Sequence, residues 1–158
     1  MAKETEIKLR ISPTSLATLR EHPSLVARSV GEWQTRELLN RYYDTADFAL
    51  ANSQVALRIR RDGEKLIQTL KSKGASVAGL SERNEFDWYL KNNRLVLSHL
   101  DESCWPESLR ELDKKQLKVV FSTDFKRQFA ELRWQRDSVE TVVEVALDQG
   151  LVIADQQQ

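Results

Sequence analysis

Polar and apolar side chains alternate with period two along Glu4-Thr5-Glu6-Ile7-Lys8-Leu9-Arg10-Ile11. Successive side chains of an extended strand point to opposite faces. The run therefore predicts a strand with Glu4, Glu6, Lys8 and Arg10 on one face and Thr5, Ile7, Leu9 and Ile11 on the other. Further runs repeat the pattern. Val55 to Arg61 sets Val55, Leu57 and Ile59 against Arg58 and Arg60. Asp62-Gly63 then signals a hairpin, and the return strand, Lys65 to Lys73, places Lys65, Ile67, Thr69, Lys71 and Lys73 on one face. Ser81 to Leu90 puts Arg83, Glu85 and Asp87 opposite Asn84, Phe86, Trp88 and Leu90. Glu140 to Asp148 sets Glu140, Val142, Glu144, Ala146 and Asp148 against Val143, Val145 and Leu147. If such a sheet closes on itself, the charged rows can all line one interior.

The segments between these runs predict a β-rich chain with short flanking helices. Ser12 can cap a helix over Pro13 to Glu21, with Pro23 ending it. Thr35 to Asp44 reads as a strand, and Thr45 to Asn52 as a turn or short helix with Phe48 and Leu50 packing inward. The stretch Gly74-Ala75-Ser76-Val77-Ala78-Gly79 reads as a flexible connection. Asn92 to Gln116 is the longest predicted helical stretch, divided near Pro106, and Lys118 to Trp134 is a long strand with a bend near Lys126. No repeat or low-complexity tract interrupts the chain.

Composition changes this picture little but excludes several partners. The 158 residues suffice for one domain with a sizeable core, and 41% hydrophobic content argues against disorder. With 24 basic and 24 acidic residues the formal net charge is zero, so nothing global favours nucleic acid or an anionic membrane. The charges are instead segregated by strand face. A lone cysteine, Cys104, excludes an internal disulfide framework and suits a reducing compartment. No apolar run approaches the roughly 18 residues of a membrane helix, and Met1-Ala2-Lys3-Glu4 has no signal-peptide core. The expected location is the cytoplasm.

A single alternating strand most often means one solvated face. Matching charged rows on several strands point to chemistry instead. Glu4 and Glu6, about 7 Å apart along one face, are suited to a divalent cation, and Lys8 beyond them to a phosphate. Lys8, Arg58, Arg60, Lys71, Arg83 and Arg127 supply cations that would repel one another if buried unpaired. A polyanion relieves that repulsion, and arginine forks bind phosphate oxygens bidentately. Glu4, Glu6, Glu85, Glu144 and Asp148 balance the set and suit Mg²⁺ or Mn²⁺, which prefer oxygen ligands. Alternation groups Arg127 with Phe125 and Phe129, and a bend near Lys126 would reconcile this with a phosphate role. His22 and His99 lack metal-ligand spacing, and Cys104 beside Trp105 reads as a packed thiol.

These residues resemble the CYTH family, the triphosphate tunnel enzymes, whose hallmark is Glu-x-Glu-x-Lys near the amino terminus, here Glu4, Glu6 and Lys8. The resemblance continues in order through Tyr42-Tyr43-Asp44-Thr45, Leu57-Arg58-Ile59-Arg60, Thr69-Leu70-Lys71, Arg83-Asn84-Glu85, Ser122-Thr123-Asp124-Phe125-Lys126-Arg127 and Glu144-Val145-Ala146-Leu147-Asp148-Gln149-Gly150. It looks most like bacterial inorganic triphosphatases that carry a CHAD domain. It implies an α+β, β-rich fold, a closed or nearly closed antiparallel barrel of about eight strands. It assigns metal to Glu4, Glu6, Glu144 and Asp148, phosphate to Lys8, Arg58, Arg60, Lys71, Arg83 and Arg127, and catalysis to Lys8, Lys71 and Glu85. The implied activity is metal-dependent hydrolysis of a small triphosphate, most simply inorganic triphosphate. A class IV adenylate cyclase and a non-catalytic polyphosphate- or nucleotide-binding module are the alternatives. Family members run past the Asp-Gln-Gly turn into a last strand with a second Glu-x-Glu pair, whereas this chain stops at Gln156-Gln157-Gln158. The chain thus reads as one CYTH-like domain, residues 1–158, cut short at its carboxyl end.

Overall fold

Strands dominate the computed structural model, which describes residues 2–77 and 80–154. They are β1 (Ala2–Glu6), β2 (Ser29–Asp44), β3 (Ala56–Asp62), β4 (Lys65–Val77), β5 (Leu80–Leu90), β6 (Lys118–Arg136) and β7 (Val139–Ala154). They join in one sheet of order β1-β5-β4-β3-β2-β6-β7. Helices are short: α1 (Pro13–Arg20), α2 (Pro23–Val26) and α3 (Ala49–Asn52). The β-rich, antiparallel class read from the sequence is the class observed. No helix among the described residues is long and apolar enough to cross a membrane.

The chain divides into two compact units. The first takes Met1–Lys8, Leu38–Asp124 and Leu151–Gln158, and it holds the β1-β5-β4-β3 ladder with the end of β2. Antiparallel register fixes which side chains share a face, because directly opposed residues project the same way. Tyr43 opposes Leu57, Leu57 opposes Leu70, and Leu70 opposes Phe86. This row packs into a core of Leu50, Val55, Leu57, Leu70, Leu100, Cys104 and Leu109, rimmed by Trp88, Leu95 and Trp105. Full burial of a leucine stabilises by roughly 1.5–3 kcal/mol. Segment 92–117 lies over this face. Buried Gln68 pins it, accepting from the Val96 amide at 2.9 Å and donating to the Val96 carbonyl at 3.2 Å.

The segment is not the helix expected from Asn92 to Gln116. It forms three single 3₁₀ turns, Leu97–His99, Glu107–Leu109 and Lys114–Gln116. Aspartates offer the backbone local partners that compete with helix: Asp101 accepts from the Ser103 amide at 2.9 Å and Asp113 from the Lys115 amide at 3.0 Å. Other expectations also shift. The first strand ends at Glu6 and not at Ile11. Its ladder with β5 ends at the Glu6–Ser81 pair, one residue short of Leu80, where β5 begins. The connection expected from Gly74 is instead strand, as β4 runs to Val77 with a register shift between Lys73 and Ser76. A Cβ on Gly74 would stand 2.2 Å from the Glu82 carbonyl oxygen, so the strands can approach there only at glycine. Ala78 and Gly79 lie outside the described residues. Leu50 is buried as expected, but Phe48 is exposed and has φ 57°.

The β3–β4 hairpin confirms the Asp62-Gly63 signal: Asp62 opposes Lys65 across a two-residue loop in which Gly63 takes φ 60°. Asp44 ends β2 and accepts from the amides of Thr45, Leu50 and Ala51, which ties α3 to the sheet.

The second unit takes Leu9–Glu37 and Phe125–Gly150. Ser12 caps α1 and His22 caps α2. Strands β6 and β7 join through Asp137 and Ser138, both at positive φ, the pattern of a tight two-residue hairpin. Gln149 and Gly150 lie inside β7, so the expected Asp-Gln-Gly turn is continuous strand. Ala130, Leu132 and Leu147 are buried.

Candidate active site

The face opposite the apolar core of the first unit is charged. Register builds it row by row. Asn40 opposes Arg60, and Arg60 opposes Ile67. In the next row Tyr42 opposes Arg58, Arg58 opposes Thr69, and Thr69 opposes Asp87. Lys71 then opposes Glu85, and beyond it Lys73 opposes Arg83, which opposes Glu4. Period-two alternation on four strands thus collects Glu4, Glu6, Arg58, Arg60, Lys71, Arg83 and Glu85 on one surface.

At its centre the Lys71 ammonium lies between two carboxylates, contacting Glu4 Oε2 and, at 3.0 Å, Glu85 Oε2. The Lys71 and Glu85 side chains are only 14% and 16% exposed, which sets this ion pair apart from the surface pairs elsewhere. The two carboxylates titrate in opposite directions. Burial works to raise the Glu4 pKa, but hydrogen bonds from Lys71 and Glu85, with the charges of Lys71 and Arg58, bring it below the ordinary value. Burial raises that of Glu85, and its hydrogen bond with Glu4 raises it further against the pull of Lys71. Two carboxyls forced together commonly divide in this way.

Arg58 is the site's most telling cation. Its Nε is buried and has no hydrogen-bond partner among the described residues. A buried guanidinium N–H left unmet is costly, and an anionic oxygen would meet it. Arg60 is held from the side: its Nε donates to Asn40 Oδ1 at 2.8 Å. Thr69 donates to Asp87 at 2.6 Å in the row of Arg58. Tyr42 stacks on Phe121, with ring centroids 4.4 Å apart.

The remaining candidates are placed differently. Glu6 is half-buried and lies 3.5 Å from the exposed Lys8 ammonium, beyond the end of β1. Arg83 is exposed. Arg127, Glu144 and Asp148 belong to the second unit. There Arg127 makes a bidentate pair with Asp148, both contacts at 2.7 Å, and stands over the Phe125 ring. A proposed phosphate group and a proposed metal ligand thus hold each other. Glu144 is exposed. Among the described residues no three Asp, Glu, His or Cys side chains cluster tightly enough to hold a metal unaided. The Glu4–Glu85 pair nevertheless fits the way Mg²⁺ commonly binds, through one or two carboxylates with phosphate oxygens and water completing the shell.

Sequence reasoning set Asp87 on the charged face without giving it a role, and missed Asn40 and Thr123 as members of this surface. Asp87 was visible in the alternation of its strand. Asn40 and Thr123 were not, because their roles depend on pairing between distant strands.

Fold and site define an antiparallel sheet with one face sealed by apolar packing and the other carrying interleaved arginine, lysine and glutamate. The chain matches the CYTH domain over residues 2–155 and belongs to that family. It is 35% identical over 154 residues to an inorganic triphosphatase of Haemophilus influenzae, covering 98% of this chain and 42% of that protein. The chain therefore spans less than half the length of this relative. A solved structure from Hippeastrum, described as an adenylyl cyclase with a dominant triphosphatase activity, superposes with a TM-score of 0.56 at 22% identity, over 94% of this chain and 71% of the other. That likeness supports the fold.

Proposed function

We propose that the chain hydrolyses a small triphosphate, inorganic triphosphate first, with a divalent metal. The observation that carries this reading is the buried, unmet Nε of half-buried Arg58, facing the same surface as Arg60, Lys71 and the Glu4–Glu85 pair. Inorganic triphosphate offers several charged oxygens in a short linear array. Arg58 and Arg60, two residues apart on one strand face, suit successive phosphoryl groups. Lys71, released from Glu4 and Glu85, brings a mobile positive charge to the same array. Glu4 and Glu85 would hold Mg²⁺ or Mn²⁺, with Glu6 adjacent. The ion supplies charge neutralisation on the phosphoryl oxygens and polarisation of water. Without the ion, burial and the contact with Glu4 hold the Glu85 pKa above the ordinary value, and a bound cation would favour its charged form. Lys8, Arg83 and Arg127 extend the phosphate set, and Glu144 and Asp148 the acidic set. The same reading places the protein in the cytoplasm, with a CHAD domain elsewhere in the whole protein.

The resemblance to the Haemophilus protein supports the choice of inorganic triphosphate. Product analysis tests it. With Mg²⁺ or Mn²⁺ and inorganic triphosphate, the expected product is orthophosphate with pyrophosphate, and chelation abolishes its release. Cyclic nucleotide and pyrophosphate from ATP, with no hydrolysis of triphosphate, would instead make the chain a cyclase. Tight binding without turnover would make it a binding module.

A further inference from the structure

Asn40 is buried on β2, opposite Arg60 in the antiparallel ladder. Its Oδ1 accepts from Arg60 Nε at 2.8 Å, and its Nδ2 donates to Thr123 Oγ1 on β6 at 2.9 Å. A guanidinium can only donate, so the carbonyl end of the amide must face Arg60. The amine end then faces Thr123, whose hydroxyl accepts. Reversing the amide would set donor against donor at Arg60. The hydroxyl of Thr123 therefore helps fix the orientation in which Asn40 receives Arg60. Packing alone would not call for such a group: Leu38, two residues earlier on the same strand face, is a buried hydrocarbon. A buried amide is retained at low cost only when its hydrogen bonds are made.

An arginine reaching into water samples many rotamers, and each phosphate contact must overcome that entropy. A hydrogen bond at Nε removes much of it and sets the plane of the guanidinium. We propose that Asn40 and Thr123 are positioning residues that aim Arg60 at the substrate and thereby set affinity for the triphosphate chain. The inference rests on the reading of Arg60 as a phosphate contact. It adds a part-buried relay, reaching from β6 through β2 to β3, that neither substrate nor metal need touch.

The test measures the dissociation constant of inorganic triphosphate in chelator by calorimetry, with the melting temperature of each variant alongside. Asn40→Ala and Thr123→Val should each weaken binding, Asn40→Ala by about tenfold. Thr123→Ser keeps the hydroxyl and should bind like wild type. In an Arg60→Ala background, Asn40→Ala should weaken binding no further, because its effect runs through Arg60. Equal losses from Asn40→Ala with and without Arg60 would overturn the relay and make Asn40 a structural residue. So would equal affinities for Thr123→Val and Thr123→Ser, a comparison that holds even if Asn40→Ala fails to fold. Weakened binding in Arg60→Ala with none in Asn40→Ala would overturn the relay alone. Unchanged affinity in Arg60→Ala would overturn the phosphate role of Arg60, and the relay with it.

Discussion

Glu4 and Glu85 carry the same functional group and face the same ammonium, yet the fold treats their protons oppositely. The depressed pKa of Glu4 means that its charged form is favoured by folding. That contribution is present above the ordinary carboxylate value and is lost as pH falls through the folded value. The raised pKa of Glu85 has the other sign. Its unfavourable contribution begins as pH rises past the ordinary value and is complete above the folded one. In chelator at neutral pH, Glu4→Gln should therefore lower the melting temperature, while Glu85→Gln should leave it unchanged or raise it. Melting curves across the acid range check this; an equal drop for both variants near pH 7 would contradict it. The faces of these residues were legible in the sequence because alternation is local. Their joint hold on Lys71 was not, since it depends on how β1, β5 and β4 align. The bond between Asn40 and Thr123 spans 83 positions, and no periodicity announces it.

At the scale of elements, the sequence was readable where one strand dictates its own geometry. The runs at β3, β4 and β5 were found with their faces correct, and so was the hairpin at Gly63. It failed where a neighbour decides. The extent of β1 follows its ladder with β5, which ends at Glu6–Ser81, and the residues of segment 92–117 follow the apolar surface beneath them more than any helical repeat. Gly74 is the instructive case. Read as a loop residue, it is a strand position where any side chain would collide with the β5 backbone at Glu82. Gly74→Val should force the strands apart, at a cost of about 1–3 kcal/mol, and chemical denaturation measures it. Stability equal to wild type would show that the contact is not limiting. Gly63→Ala tests the other glycine: its positive φ is strained for any side chain, and the expected loss is about 1 kcal/mol.

For the molecule as a whole, zero net charge conceals the functional feature. The cations and carboxylates are sorted by face, and apolar packing on the opposite side holds the charged face in place. A polyanion that binds only this folded surface should raise the melting temperature by mass action, with or without turnover. Arg58 and Arg61 separate a local site from general attraction, since they lie three residues apart on β3 and project to opposite faces. Arg58 is largely buried among the charged rows, whereas Arg61 opposes Leu66 and is exposed. The most direct measurement is the affinity for inorganic triphosphate of Arg58→Ala against Arg61→Ala, at matched folded fraction. Loss of a charge-assisted contact should weaken binding by roughly 10- to 100-fold at Arg58, with affinity near wild type at Arg61. Equal losses at the two positions would contradict the claim that the charged face of β1, β3, β4 and β5 is the triphosphate site.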